Sequence, residues 1–155
     1  MLLKEFNNVS EVKNIDKGFK SDNLKDKNVI VAYEEEKIIS IAFYHKPTLK
    51  ELESYIVEYG ECFKSYCDEE NICDYNDWKE YVLNRCKEKI YLDYIESLEK
   101  NKGGAKAIID YMEKKFNDIW LYSLCESEEF YDHMKWQSLG EYIYINKFKE
   151  GQIWC

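Results

Sequence analysis

Residues 89–112 read KIYLDYIESLEKNKGGAKAIIDYM, and the order of patterns within them decides the fold class. The first ten residues form an apolar run rich in Ile, Tyr and Leu, the composition of a strand. Asn101 to Gly104 follow as a short loop with two adjacent glycines. Ala105, Ile108, Ile109, Met112 and Phe116 then recur at helical spacing, which predicts an amphipathic helix from Gly104 to Phe116. Strand, glycine loop and helix N-terminus together suit a pyrophosphate. The loop presents backbone N–H groups, the helix dipole favours negative charge there, and glycine lets the backbone come close.

Working outward from this segment, residues 119–124 (IWLYSL) read as another buried strand, so strand, helix and strand form a β-α-β unit. Upstream, VIVAY and IISIAFY flank Glu34-Glu35-Glu36-Lys37 and predict an antiparallel hairpin over 28–45, its acidic turn a solvated tip. Thr48 and Glu51 have capping-box spacing and open a helix whose stripe runs through Leu49, Leu52, Ile56, Tyr59, Phe63 and Tyr66, with Gly60 a point of interruption. A second helix over 76–87 places Trp78, Tyr81, Val82 and Cys86 on one face, and the loop between the two, 67–77, is acidic. Residues 2–7 read as a short edge strand and 9–27 as a polar loop with one helical turn. Ser127 opens a short helix with Phe130, Tyr131 and Met134 inward, and 141–148 alternates as a last strand.

A chain of 155 residues, 45% hydrophobic and 16% aromatic, is the size of one domain, 1–155, and can bury a core. Its formal charge of −9 argues against a nucleic-acid partner, which requires phosphate neutralisation, and is compatible with a cationic, amine-bearing one. Lys100, Lys102 and Lys106 nevertheless gather around the glycine loop. No stretch reaches the roughly 20 apolar residues of a membrane helix, and the start, MLLKEFNNVSEV, turns polar too soon for a secretory signal, so a cytoplasmic chain with no membrane partner is expected. Cys62, Cys67, Cys73, Cys86, Cys125 and Cys155 form no C-x-x-C pair and are expected reduced, with no metal site. His45 and His133 offer little for a Cys–His nucleophile.

The order of elements resembles the GNAT superfamily of acyl-CoA-dependent N-acyltransferases. The family's signature, Q/R-x-x-G-x-G/A after its fourth strand, is matched by Lys100-Asn101-Lys102-Gly103-Gly104-Ala105, with Lys100 in the place of Gln or Arg. Phe130-Tyr131 falls where the family often reads F-Y-x-x-x-G-F, with Lys135-Trp136 in place of Gly-Phe. Leu124 stands where an asparagine often follows the fifth strand. The resemblance implies a mixed, mostly antiparallel α/β (α+β) sheet with helices on both faces. Here the helical pair, about 48–88, comes after the hairpin rather than between the first two strands.

The same resemblance implies acetyl-CoA as cosubstrate. Backbone groups of Ile95 and Ser97 would pair with its pantetheine arm. N–H groups from Lys100, Asn101, Lys102, Gly103, Gly104 and Ala105 would hold the pyrophosphate, with Lys106 beside them. Tyr131 would give a proton to the departing thiolate, the alternative being a core aromatic. Glu96 is the candidate base for the amine, the alternative being a surface carboxylate. The implied activity is transfer of acetyl to a primary amine, on a small molecule or a protein, by direct attack in a ternary complex. An acidic wall over 51–70 would mark the acceptor side. The competing reading is a non-catalytic acyl-CoA-binding or interaction module on the same fold. The spacings of a Walker loop or a dinucleotide fingerprint are absent. The apolar last strand and Trp154 could pair with a second subunit in a homodimer or close the sheet of a monomer.

Overall fold

The computed structural model describes residues 1–61, 63–64, 74–123 and 127–146. The elements are strands β1 (Leu2–Phe6), β2 (Asn28–Glu34) and β3 (Lys37–His45), helices α1 (Leu49–Tyr59) and α2 (Tyr75–Cys86), strand β4 (Ile90–Ser97), helix α3 (Gly104–Phe116), strand β5 (Ile119–Tyr122), helix α4 (Glu128–His133), and strands β6 (Gln137–Ser138) and β7 (Ile143–Ile145). The mixed, mostly antiparallel α/β class expected from the sequence is the one observed. Two compact units are distinguished, one made of Met1–His45 with Leu92–Asn117, the other of Lys46–Tyr91 with the chain from Asp118.

In the first unit the strands run in the order β1-β2-β3-β4. β1 and β2 pair antiparallel through Leu3↔Ala32 and Glu5↔Ile30, and β2 and β3 through Val29↔Phe43 and Val31↔Ile41. The middle of β2 and β3 is buried on both faces, which is why VIVA and IISIAFY are nearly continuous apolar runs. One face carries α3, where Phe116 meets Tyr44 with ring centroids 5.0 Å apart. The other face carries Val29, Val31, Ile41 and Phe43, covered by Val9, Val12, Ile15, Phe19 and Leu24. The polar stretch 9–27 therefore folds into two 3-10 turns, Val9–Glu11 and Lys17–Lys20, capped by the side chains of Asn8 and Asp16. Its sparse apolar residues complete a core, which a reading as one loop with a helical turn does not convey. Glu5 ties β1 to α3 by accepting bonds from Tyr44 Oη (2.9 Å), Tyr111 Oη (2.8 Å) and Lys115 Nζ (2.5 Å). Burial pushes its carboxyl up, but these three donors outweigh that and hold it below the ordinary range.

In the second unit the order is β4-β5-β7-β6, with β4 and β5 parallel through Ile90↔Ile119 and Tyr91↔Trp120. The Thr48–Glu51 capping box forms in both directions. Leu52, Ile56, Phe63, Trp78, Val82 and Cys86 build one core with Trp120 and Ile143, whereas Leu49 at the start of the stripe is exposed. Gly60 is the C-cap of α1, and the position has no room for a side chain, since a Cβ there would lie 2.4 Å from Trp78 Cζ3. Arg85, the one arginine of the sequence, is buried on α2 and donates to Tyr81 Oη (3.0 Å) and Gln137 Oε1 (2.8 Å). The short strand β6 has no signal in the sequence. Phe130 lies exposed rather than inward. Tyr66, the loop 67–73, Leu124, Trp154, the end of the last strand and all cysteines but Cys86 lie outside the described residues. Cys86 is buried, and that burial pushes its thiol up. Among the described residues no helix is long and apolar enough to cross a membrane.

Candidate functional site

The loop after β4 is built for close approach. Asn101 (φ 64°) and Gly103 (φ 72°) are both left-handed, so the chain turns sharply into α3. Gly103 is the N-cap and supplies no side-chain acceptor, leaving the first-turn N–H groups of α3 without a cap from the protein. Gly104 is required by packing. A Cβ there would stand 2.7 Å from Ser40 Cβ, too close for any side chain unless the helix or the strand shifts. Ser40 in turn donates to the carbonyl of Glu96 (2.7 Å), and Leu98 N–H bonds the carbonyl of Ile39 (2.9 Å). β3 thus fixes both the end of β4 and the start of α3.

β4 pairs with β5 through Ile90 and Tyr91; farther along the strand Ile95 is half-buried and Ser97 exposed. The lysines near the loop differ in their use. Lys100 is exposed, Lys102 pairs with Glu34 (3.2 Å), and Lys106 pairs one helical turn on with Asp110 (2.9 Å). Glu99 is engaged by Lys37 of the hairpin.

Glu96 faces a groove of about 910 Å³ in the first unit. Its carboxylate accepts from Tyr94 Oη at 2.6 Å. That bond, with burial and the neighbouring charge, pushes the Tyr94 phenol up to about 12. Tyr94 packs edge-on against Phe19 and Phe43, with centroids 6.1 and 6.2 Å away. Phe19, Leu24, Ile38 and Leu98 give the groove an apolar lining, and Asp16, Glu35 and Glu36 add carboxylates. Glu35 and Glu36 form the β2–β3 turn, both left-handed (φ 49° and 68°) and both exposed as a solvated tip, and they also border this groove. The signal that could have found the groove was Ile15, Phe19 and Leu24, apolar residues spaced through an otherwise polar stretch.

In the second unit, Tyr131 is 5% exposed and enclosed by the rings of Phe130, Trp136 and Tyr144. Burial pushes its phenol up to about 12, so it stays protonated at any physiological pH. The expected wall over 51–70 is described only in part. Its groove carries Lys50, Lys64 and Lys79 as well as Glu53, Glu58 and Glu61, a mixed lining rather than an acidic one.

Neither a protein-family model nor a curated protein matches the sequence. Among solved structures, the chain is similar to the Bacillus subtilis N-acetyltransferase YlbP in complex with coenzyme A, with 13% identity, a TM-score of 0.47, and coverage of 93% of this chain and 95% of that one. At that identity and score, the reading of function rests on the chain's own loop, strand edge and groove.

Proposed function

We propose that the protein is an N-acetyltransferase that uses acetyl-CoA and acts on a primary amine. The observation that carries this reading is the start of α3: a left-handed Gly103 with no capping side chain, followed by Gly104 seated on Ser40. Uncapped first-turn N–H groups at a glycine turn fit a pyrophosphate, and a β-carbon at Gly104 would move the helix off the strand that positions them. The N–H groups from Lys100 to Ala105 would hold the pyrophosphate, with Lys106 nearby. The edge of β4 at Ile95 and Ser97 would pair with the extended pantetheine arm as a strand pairs with a neighbour.

When bound, the cosubstrate supplies an acetyl group on a thioester, an electrophile that needs no covalent enzyme intermediate. An amine arriving as ammonium gives a proton to Glu96, and its lone pair forms the C–N bond as the C–S bond breaks. Tyr131 would be the candidate donor of a proton to the departing thiolate, and the second proton shed by the new amide nitrogen would restore the donor through solvent. Proton transfers of this kind contribute about 10²–10⁴-fold.

Calorimetric titration with acetyl-CoA tests the reading, with dephospho-CoA and ATP as controls. Saturable binding that Gly103→Phe weakens at least tenfold supports it; a Cβ there meets no atom within 4 Å, the left-handed backbone costs about 1–2 kcal/mol, and an unfolding curve on the variant separates that strain from lost binding. Absence of binding overturns it.

The burial of Tyr131 in an aromatic cluster favours a second reading, a non-catalytic acyl-CoA-binding module. Acetyl-CoA binding without transfer to any amine would select it.

A further inference from the structure

We infer that the acceptor is a linear amine bearing a second positive charge, a diamine or polyamine, and that it lies in the groove of the first unit rather than along α1 and α2. The inference rests on the acetyltransferase reading for its chemistry, but the groove itself argues for the ligand. Its walls are mainly apolar, and carboxylates reach it from three separate stretches of chain: Asp16, the Glu35–Glu36 turn, and Glu96. The one cation in the lining, Lys37, is neutralised by Glu99. A methylene chain with ammonium groups satisfies such a lining, and an amine carrying its own carboxylate is repelled by it. Phe19 and Tyr94 also line the groove, and the face of an aromatic ring suits a desolvated cation.

The spacing favours length. Leu98 is paired to Ile39, Glu96 lies two residues before the one, and Glu36 three residues before the other. At about 3.3 Å per residue the two backbone positions stand roughly 13–16 Å apart, Glu36 lying in the turn just outside β3. A compact amine meets one end, whereas a chain of several methylenes meets both. The nitrogen beside Glu96 is the one placed to react, and the distal charge is held at the turn. By contrast, the groove beside α1 carries three lysines against three glutamates and has no preference of sign.

The test is calorimetry of spermidine against the wild type and Glu35→Gln/Glu36→Gln, with n-butylamine and glutamate as comparison amines. Acetyl-CoA affinity is measured on the same samples. Spermidine should bind the wild type, at least tenfold more weakly the double variant, and more weakly as NaCl rises. Butylamine and acetyl-CoA affinities should change less than twofold. Leu24→Lys, which puts a cation into the groove without touching the turn, should also abolish spermidine binding. Equal spermidine affinity in wild type and both variants, no spermidine binding, or a preference for glutamate overturns the inference. If acetyl-CoA fails to bind while spermidine binding still depends on Glu35 and Glu36, the acetyltransferase reading falls and the polyamine site stands.

Discussion

Gly104 and Ser40 touch so closely that a Cβ on the glycine would stand 2.7 Å from the serine's Cβ, and the same serine holds the Glu96 carbonyl at 2.7 Å. One β3 residue therefore sets the distance between the glycine loop and the strand that bears the candidate base. Gly104→Ala forces α3 to shift on a well-packed strand. It should cost about 1–3 kcal/mol of stability, and acetyl-CoA affinity should fall at least tenfold. Denaturant unfolding and calorimetry on the same variant measure both. Unchanged affinity would mean that the seat of α3 is not part of the binding site.

Glu96→Gln removes a base and keeps the shape. Acetyl transfer at neutral pH should fall by about 10²-fold while acetyl-CoA binding is retained. A second signal follows from Tyr94, whose phenol is raised first by its bond to Glu96. In the variant, one tyrosine in the ultraviolet titration should move down from about 12 toward its ordinary value. Loss of transfer without that movement would point to misfolding around β4.

The hairpin turn offers a trade between stability and charge. Glu35 and Glu36 both occupy left-handed backbone, where Asn and Gly are the usual occupants. Glu36→Gly should therefore stabilise the protein by about 1 kcal/mol. If the turn holds the distal charge of the acceptor, the same change should raise the KM for spermidine and leave kcat unaltered. Thermal melts and initial rates separate the two effects.

Tyr131→Phe distinguishes chemistry from packing. As a proton donor it should cost about 10²-fold in turnover with acetyl-CoA binding intact. As a core aromatic alone it should leave turnover within a few-fold. The phenol also carries a pH signature. Its folded value of about 12 exceeds the ordinary 10.0, so the stability tied to its proton is complete below pH 10 and is lost as pH rises toward 12. Stability should decline there by up to about 1.4 kcal/mol per pH unit from this group. The slope should be shallower in the variant.

Much of the architecture was legible because its determinants are local. The Thr48–Glu51 box, the Ala105–Phe116 spacing and the runs of β2 and β3 each depend on near neighbours, and each element formed where its pattern lies. The glycine loop was legible for the same reason, although Gly104's need to be glycine comes from Ser40, 64 positions away, and not from the turn itself. The groove was not legible. Phe19 and Leu24 become its wall only after β2 and β3 have formed a face for them to cover, and Glu35–Glu36 reads as a solvated tip until that wall stands beside it. The Lys106–Asp110 pair lies at i,i+4 spacing and was legible, whereas nothing local shows that Lys102 meets Glu34.

The chain's one guanidinium is spent inside α2, bonded to Tyr81 and Gln137. Permanent positive charge at the surface is therefore carried by ammonium groups alone, and the planar two-pronged grip that guanidinium gives an oxyanion is missing. Recognition of a phosphorylated partner must then come from main-chain amides plus lysine point charges, and such binding should weaken steeply with ionic strength. Those lysines are also primary amines, so any reagent that acylates amines can erase the protein's outward positive charge and deepen its acidity.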